Sequence, residues 1–205
     1  MQLILRPGEA TEIAAFVMAG GWAGFGAILL LGKRGAARGS ATRDMRSTFG
    51  FLLQCAAYAI CFVFHRRYFS PIAPIGVFGE EILAVVSIAL TLWSVWFCYA
   101  AARALGKQWA LMARVIEGHE LIRGGPYGVV RNPIYLAMLV MLVAMGLTVS
   151  HWQALVIAAA VFWSGTAIRI RTEENLLRAN FGAQFAEYAH AVPAFLPLKW
   201  RWRSS

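Results

Sequence analysis

The sequence IYLAMLVMLVAMGLTV (134–149) is followed, after only Ser150 and His151, by the sequence WQALVIAAAVFWSGTAI (152–168). Neither run contains a charged residue, and each approaches the roughly 20 apolar residues that an α-helix needs to cross a bilayer. Because so short a link leaves no room for another element, the two runs are predicted to form an antiparallel hairpin of membrane helices. Both runs are slightly short, so their ends should be buried in protein or in thinned lipid.

Three further apolar runs precede this pair, over residues 11–32, 48–64 and 81–102. Hydrophobic residues make up 60% of the 205 positions and charged residues only 14%, whereas soluble domains carry about 25% charged residues. So little polar surface could not enclose so large an apolar core in water, but lipid can solvate the excess. The predicted fold class is therefore an all-α integral membrane protein with about five transmembrane helices, in contact with membrane lipids.

The basic residues give this arrangement an orientation. Most of the 19 Lys and Arg residues lie in the segments 33–47, 103–131 and 169–203, which five spans place on one side of the membrane. Cytoplasmic segments carry an excess of such residues. We therefore expect the N-terminus outside and the C-terminus in the cytoplasm, in a bacterial-type inner membrane or an ER-like membrane.

The chain changes character near residue 102. Residues 1–101 are predicted to form a three-span membrane region, and residues 102–205, which carry long polar stretches and turn residues, to hold any chemistry, all within a single domain. The net charge of +9 comes without zinc-ligand clusters or aromatic RNA-binding strands, so no nucleic-acid partner is expected. Cys55, Cys61 and Cys98 all lie inside apolar runs, so they are interpreted as small core residues, and no metal is expected.

The first polar motif reads HELIRGGPYGVVRNPIY (119–135). Gly124-Gly125-Pro126 cannot continue a helix and predicts a tight turn. Asn132-Pro133 predicts the start of the next helix, whose N-terminal N–H groups would suit a carboxylate. Tyr127 and Tyr135 add flat rings with a hydroxyl group, which can stack on a base or surround a cation.

The second polar motif follows the last apolar run and begins RIRTEE (169–174). Apolar residues then recur at helical spacing, at positions 177, 181, 185 and 188, so the last helix is predicted to continue as an amphipathic segment until Val192-Pro193. Arg169 and Glu173 are four residues apart and would share a helix face. Charges close to the end of a span are costly unless they are solvated or paired, so they indicate a polar cavity there.

Together the two motifs resemble the isoprenylcysteine carboxyl methyltransferase family and, more broadly, the membrane methyltransferases that include phospholipid N-methyltransferases. The resemblance rests on six linked elements over residues 102–197. They are His119-Glu120-Leu121-Ile122, Gly125-Pro126-Tyr127, Arg131-Asn132-Pro133-Ile134-Tyr135, Arg169 with Glu173-Glu174, Phe181-Gly182 through Phe185, and Val192-Pro193.

The resemblance implies that S-adenosylmethionine is the cofactor, and it implies a role for each matched residue. The implied cofactor-binding residues are His119, Glu120, Leu121, Ile122, Gly125, Pro126, Tyr127, Arg131, Asn132, Pro133, Ile134, Tyr135 and Glu173. Arg169 would bind the substrate at the membrane-side opening and, with Glu174, would be catalytic. Asn132 and Phe185 depart from the family pattern, which more often has His and Tyr there.

The acceptor implied by the resemblance is a lipophilic small molecule or a lipidated substrate. Arg169 could orient an acceptor carboxylate through a bidentate contact, whereas an amine or thiol acceptor would need a base, for which Glu174 and His119 are the candidates. Three alternatives remain: a phospholipid or other amine N-methyltransferase, an NADPH-dependent membrane reductase of the sterol-reductase type, and a non-enzymatic membrane scaffold. Without the linked motif, Glu173 and Glu174 would be interpreted as solvated helix-surface charges.

Overall fold

The computed structural model describes residues 9–35, 45–66, 76–106 and 121–197, and the regular elements of these residues are helices. The helices are α1 (Glu9–Gly35), α2 (Met45–Val63), α3 (Gly76–Leu105), α4 (Pro126–Val129), α5 (Pro133–Val149) and α6 (Trp152–Ala191). All but the four-residue α4 coincide with the five predicted runs, so the predicted all-α fold is confirmed. The prediction that the last helix continues beyond its apolar run is confirmed as well, since α6 has 40 residues.

Four of the helices, α1, α2, α3 and α6, are long and apolar enough to cross a membrane. The remaining predicted span, α5, has 17 residues and is about 26 Å long, slightly less than the roughly 30 Å of bilayer hydrocarbon. α5 is the most enclosed helix, because side chains along its whole length, from Tyr135 to Thr148, are buried against its neighbours. Its ends therefore meet protein, which is how a short span is tolerated.

The outer faces of the long helices carry large apolar side chains. Phe16, Leu30, Phe62, Trp96 and Val156 are each more than half exposed. Apolar surface on this scale is unfavourable in water and is solvated by lipid chains. The chain is therefore an integral membrane protein, as the composition predicted.

The cysteines divide between the two environments. Cys61 and Cys98 are fully buried in the helix bundle, as predicted, and both are free thiols. The interpretation of Cys55 as a core residue is wrong, because this side chain is exposed on α2. Helical spacing explains the difference, since the buried face of α2 carries positions 47, 50, 54, 57 and 61.

The helices pack in pairs that sequence proximity does not dictate. α6 packs mainly along α2, and α5 mainly along α3, while α1 also lies against α3. The predicted reversal between α5 and α6 is present, with Gly146 of α5 directly against Leu155 of α6. Beyond this link the two helices separate toward different partners.

Two glycines allow α2 and α6 to approach closely. A Cβ atom on Gly165 would lie 2.6 Å from the carbonyl oxygen of Gly50 and 2.8 Å from the Cβ of Leu53. Only residues without side chains let helix backbones meet at this distance, which is how membrane helices gain dispersion contacts. The α2–α6 contact therefore requires glycine at both positions.

Arg66, three residues after the end of α2, lies at the end of the bundle where α5 ends. Its Nε donates to the carbonyl oxygen of Ser150 at 2.7 Å, and its Nη2 donates to those of Leu147 and Thr148 at 2.8 and 2.9 Å. The last carbonyl groups of a helix have no partner within the helix and need one inside a membrane protein. Arg66 supplies it for α5.

Replacing Gly165 with Ala should separate α2 from α6, because the added methyl group meets backbone atoms that cannot move aside. We expect the overpacking to cost about 1–3 kcal/mol and to lower Tm in detergent by roughly 2–12 °C. Gly20→Ala is the matched control, since a Cβ atom at Gly20 has no neighbour within 4 Å. Equal Tm values for the two variants in a thermal unfolding experiment would contradict the close contact.

Candidate functional site

A tight turn leads into the site, at the position where Gly-Gly-Pro predicted it. Gly125 has φ 59° and ψ −133°, a region that favours glycine, and Pro126 begins the single helical turn α4. The backbone N–H of Tyr127 donates to Gly124 O and that of Gly128 to Gly125 O, at 3.3 and 3.0 Å. This geometry buries the ring of Tyr127.

α6 changes direction above the site. Gly182 has φ 48° and ψ −118°, so α6 consists of two helical segments, 152–181 and 183–191. The second segment lies against α4, where the hydroxyl of Tyr188 donates to the carbonyl oxygen of Tyr127 at 2.7 Å. The segment ends at Ala191, which confirms the predicted end at Val192-Pro193.

Arg131 connects the start of α5 to both segments of α6. Its Nε and Nη2 donate to the two carboxylate oxygens of Glu174 at 2.9 and 3.0 Å, which is a bidentate ion pair. Its Nη1 donates to the carbonyl oxygens of Ala189, at 2.8 Å, and Val192. The side chains of Arg131 and Glu174 are only 11% and 15% exposed, so the pair is largely shielded from water.

Asn132 directly precedes α5, which begins at Pro133 as predicted. The side chain does not cap the helix, because its Nδ2 donates to the carbonyl oxygen of Ala194 at 2.8 Å. The backbone N–H of Arg131 also donates to the same irregular segment, to Pro193 O at 2.9 Å. Asn132 therefore fastens the end of the described chain over the start of α5.

These connections enclose a cleft of about 440 Å³, a volume that includes the part open to solvent. We call it the α4–α6 cleft. It is lined by residues from the end of α3, the turn and α6: Leu105, Leu121, Ile122, Tyr127, Arg131, Asn132, Glu174, Leu177, Phe185 and Tyr188. Five predicted cofactor-binding residues thus meet in one cleft, together with Glu174.

A second polar cluster, the Arg169 cluster, lies deeper in the bundle. The guanidinium group of Arg169 lies 5.0 Å from the ring centre of Tyr135 and 5.6 Å from that of Phe51. Its Nη1 donates to Gln54 Oε1 at 3.1 Å, and its Nη2 lies 3.5 Å from Glu173 Oε1. Arg169 was expected at the membrane-side opening of the site. Its side chain is only 4% exposed among the described residues, so it is buried and does not lie at an opening there.

The two adjacent glutamates therefore point to different partners. Glu173 belongs to the Arg169 cluster, where the hydroxyl of Tyr135 also donates to its Oε1, whereas Glu174 lines the cleft with Arg131. Successive helix positions differ by about 100°, which explains the division. The resemblance implied that Glu173 binds the cofactor and that Glu174 is catalytic. In the structure it is Glu174 that lines the α4–α6 cleft, whereas Glu173 belongs to the Arg169 cluster.

The remaining predicted site residues either belong to the backbone turns beside the cleft or lie outside the described residues. Gly125, Pro126, Pro133 and Ile134 form the turn and the first turn of α5 without lining the cleft. His119 and Glu120 fall outside the described residues. Sequence reasoning missed the cleft-lining role of Leu105, Leu177, Phe185 and Tyr188, although the helical spacing of the last three was a signal. It also missed Gln54.

Burial raises the pKa of the Tyr127 phenol well above its usual value, and the nearby Glu173 carboxylate raises it further. The phenol therefore stays protonated across the physiological pH range and can donate a hydrogen bond. It is unsuited to act as a base. The cleft thus combines aromatic and apolar walls with one ion pair, which suits a ligand that is partly flat and apolar and partly charged.

The chain is similar to a methyltransferase family, to named methyltransferases and to a metal-resistance protein. Residues 82–184 match the model of the family described as phospholipid methyltransferase. The chain is 35% identical over 81 residues to protein-S-isoprenylcysteine O-methyltransferase B of Arabidopsis thaliana, covering 40% of this chain and 41% of that protein. It is 37% identical over 95 residues to a nickel-cobalt-cadmium resistance protein of Alcaligenes xylosoxydans xylosoxydans, covering 45% and 44%.

A third relative, the protein-S-isoprenylcysteine O-methyltransferase of Schizosaccharomyces pombe, is 29% identical over 82 residues, covering 40% of this chain and 35% of that protein. The chain therefore spans about two fifths of the length of the curated relatives it matches. The family match begins within α3 and ends just after the Gly182 kink. It includes the turn, the α4–α6 cleft up to that kink, and Arg169.

Removing the Arg131 guanidinium should release Glu174 and the chain at Ala189 and Val192 from the start of α5. We expect Arg131→Met to cost about 3–5 kcal/mol, because Glu174 is left as a shielded charge without its partner, and to lower Tm by at least about 6 °C. Arg123→Met is the control, since Arg123 pairs with Glu187 on the surface at 3.6 Å and such pairs contribute below about 1 kcal/mol. Similar thermal unfolding curves for the two variants would refute the anchoring role of Arg131.

Proposed function

The chain belongs to the phospholipid methyltransferase family, and from that membership we propose that it transfers a methyl group from S-adenosylmethionine to a lipophilic acceptor at the membrane surface. The observation that carries the proposal is that the α4–α6 cleft lies beside the buried Arg169 cluster. A pocket for the cofactor therefore adjoins a cation that can bind an acceptor. Glu174 lines the cleft, and its neighbour Glu173 belongs to the Arg169 cluster.

The described residues fit the cofactor in chemistry. Leu121, Ile122 and Leu177 offer apolar contacts for an adenine ring, and the faces of Tyr127 and Tyr188 suit a cationic sulfonium. In this proposal the backbone at Gly125, Pro126, Pro133 and Ile134 shapes the cleft, and His119 and Glu120 are counted among the cofactor-binding residues from the resemblance alone.

S-adenosylmethionine, when bound, supplies an electrophilic methyl carbon that carries its own leaving group. The protein therefore has to align the acceptor and exclude water, and no covalent intermediate is required. Arg169 attracts and orients the acceptor through its charge, which Glu173 offsets in part at 3.5 Å. The ring of Tyr135 supports the guanidinium from one side, so the charge is held in a fixed place.

A carboxylate is the acceptor that the geometry supports best, on a prenylated cysteine or a similar lipid-linked acid. A carboxylate is already ionised at neutral pH and needs no base, and two relatives are named as isoprenylcysteine O-methyltransferases. A phospholipid amine is the second candidate, favoured by the description of the family. It needs a proton acceptor, and both oxygens of Glu174 already accept hydrogen bonds from Arg131.

We further propose that the end of the bundle with the cleft faces the cytoplasm and that the N-terminus lies outside. Arg46, Arg103, Arg123, Arg171 and Arg178 all belong to this end, which supports the assignment by the positive-inside rule. Since S-adenosylmethionine is charged and crosses membranes poorly, donor added to sealed inverted vesicles should be used, and donor added to right-side-out vesicles should not. Equal transfer in the two preparations would overturn the orientation.

The function is tested by incubating the purified protein with radiolabelled S-adenosylmethionine and two acceptors. One is N-acetyl-S-farnesylcysteine, and the other is phosphatidylethanolamine in vesicles. We expect label on the farnesylcysteine, in a methyl ester that alkali hydrolyses to volatile methanol. Label that stays on the lipid after alkali would instead indicate an N-methyl group and favour the amine acceptor.

Arg169 is tested in the same assay. Arg169→Ala should lower turnover of the carboxylate acceptor about 100-fold, because the loss of an orienting contact misplaces the reacting atoms. Unchanged turnover would remove Arg169 from the mechanism. Absence of transfer to any lipophilic molecule, in a total lipid and membrane extract as well, would contradict the proposed function itself.

A further inference from the structure

Gln54 is a fully buried amide in the membrane helix α2. It lies outside residues 82–184, the part of the chain that matches the family. The buried face of α2 places it beside α6, between Gly50 and Ala57. An amide in such a position costs free energy unless its polar atoms are hydrogen-bonded, so its partners are informative.

Both polar atoms of the Gln54 side chain are bonded to α6. Its Nε2 donates to Thr166 Oγ1 at 2.8 Å, and its Oε1 accepts from Arg169 Nη1 at 3.1 Å. A guanidinium group can only donate, so the amide oxygen must face Arg169 and the amide nitrogen must face Thr166. Arg169 thus fixes which end of the amide meets the cation, and the Thr166 hydroxyl accepts from the other end.

Gln54 contacts the Arg169 guanidinium more closely than Glu173 does. Its contact is 3.1 Å long, against 3.5 Å for Glu173. Gly50 leaves room for the stem of Arg169, because a Cβ atom there would lie 2.6 Å from Arg169 Cγ. The rings of Tyr135 and Phe51, whose centres lie 5.0 and 5.6 Å from the guanidinium carbon, limit the movement of the group, and the amide oxygen of Gln54 restricts its rotation.

We propose that Gln54 is a positioning residue for methyl transfer, and that it acts by holding the Arg169 guanidinium in the orientation that receives the acceptor. The inference rests on the proposed function, in which Arg169 orients the acceptor group. It extends the site to α2, so the N-terminal membrane region contributes to the chemistry as well as to anchoring. The order of contacts is Thr166 to Gln54 to Arg169.

A purely structural Gln54 would have a different signature. Its loss would then lower stability and leave the turnover of the folded fraction unchanged. A positioning Gln54 affects turnover of the acceptor while donor binding stays the same, because the α4–α6 cleft contains no atom of α2. A positioning role predicts a lower kcat at an unchanged donor KM. A purely structural role leaves both values unchanged in the folded fraction.

The experiment compares Gln54→Leu, Gln54→Glu, Thr166→Val and the control Gln153→Leu in the full-length protein, with N-acetyl-S-farnesylcysteine as acceptor. Gln153 is an exposed glutamine at the far end of α6. We expect Gln54→Leu to lower kcat roughly 10- to 100-fold while the donor KM changes less than about threefold, since misplaced reacting groups cost about this much. Gln54→Glu should retain more activity than Gln54→Leu, because its carboxylate still accepts from Arg169, although its charge offsets part of the charge of Arg169.

Thr166→Val keeps the shape of the side chain and removes only the acceptor for Gln54 Nε2, so it tests the inference if Gln54→Leu does not fold. We expect it to lower kcat roughly 3- to 10-fold with the donor KM unchanged. Full kcat in a folded Gln54→Leu or Thr166→Val protein, alongside an active wild type, overturns the positioning role and leaves the proposed function standing. A wild-type protein that transfers no methyl group overturns both.

Discussion

The bidentate ion pair between Arg131 and Glu174 is the contact on which the site depends. It joins the chain before α5 to α6, and the same guanidinium also binds the carbonyl oxygens of Ala189 and Val192 beyond the Gly182 kink. One side chain therefore fixes three stretches of backbone around a single cleft. A planar donor with five N–H groups can do this, whereas a lysine ammonium could not satisfy the same directions.

The membrane helices and the turn could be predicted because their signals are local. Long uncharged runs specify α1, α2, α3, α5 and α6, and Gly-Gly-Pro before Tyr127 specifies the reversal that buries this ring. Helical spacing also put Arg169 and Glu173 on one face, where they lie 3.5 Å apart. These features follow from neighbouring residues alone, so a single sequence contains them.

The pairing of distant segments could not be predicted in the same way. Gln54 and Arg169 are separated by 115 positions, and nothing in the apolar run around Gln54 indicates that α2 packs against α6. Gly182 lies within the run of helical spacing that predicted one continuous amphipathic segment, so its positive φ was not predicted. Likewise, helical spacing pairs Glu173 with Arg169, but nothing close to Glu174 in the sequence indicates that its partner is Arg131, 43 positions away.

α5 is fastened at both of its ends by arginines from outside the helix, Arg131 just before it and Arg66 after α2. Sliding α5 along its axis by one turn, about 5.4 Å, would break both sets of contacts together. A change of shape that widens the bundle therefore costs least when the surrounding helices tilt sideways around a stationary α5. α1 has the smallest buried share of the four long helices, so it meets the least resistance to such a tilt.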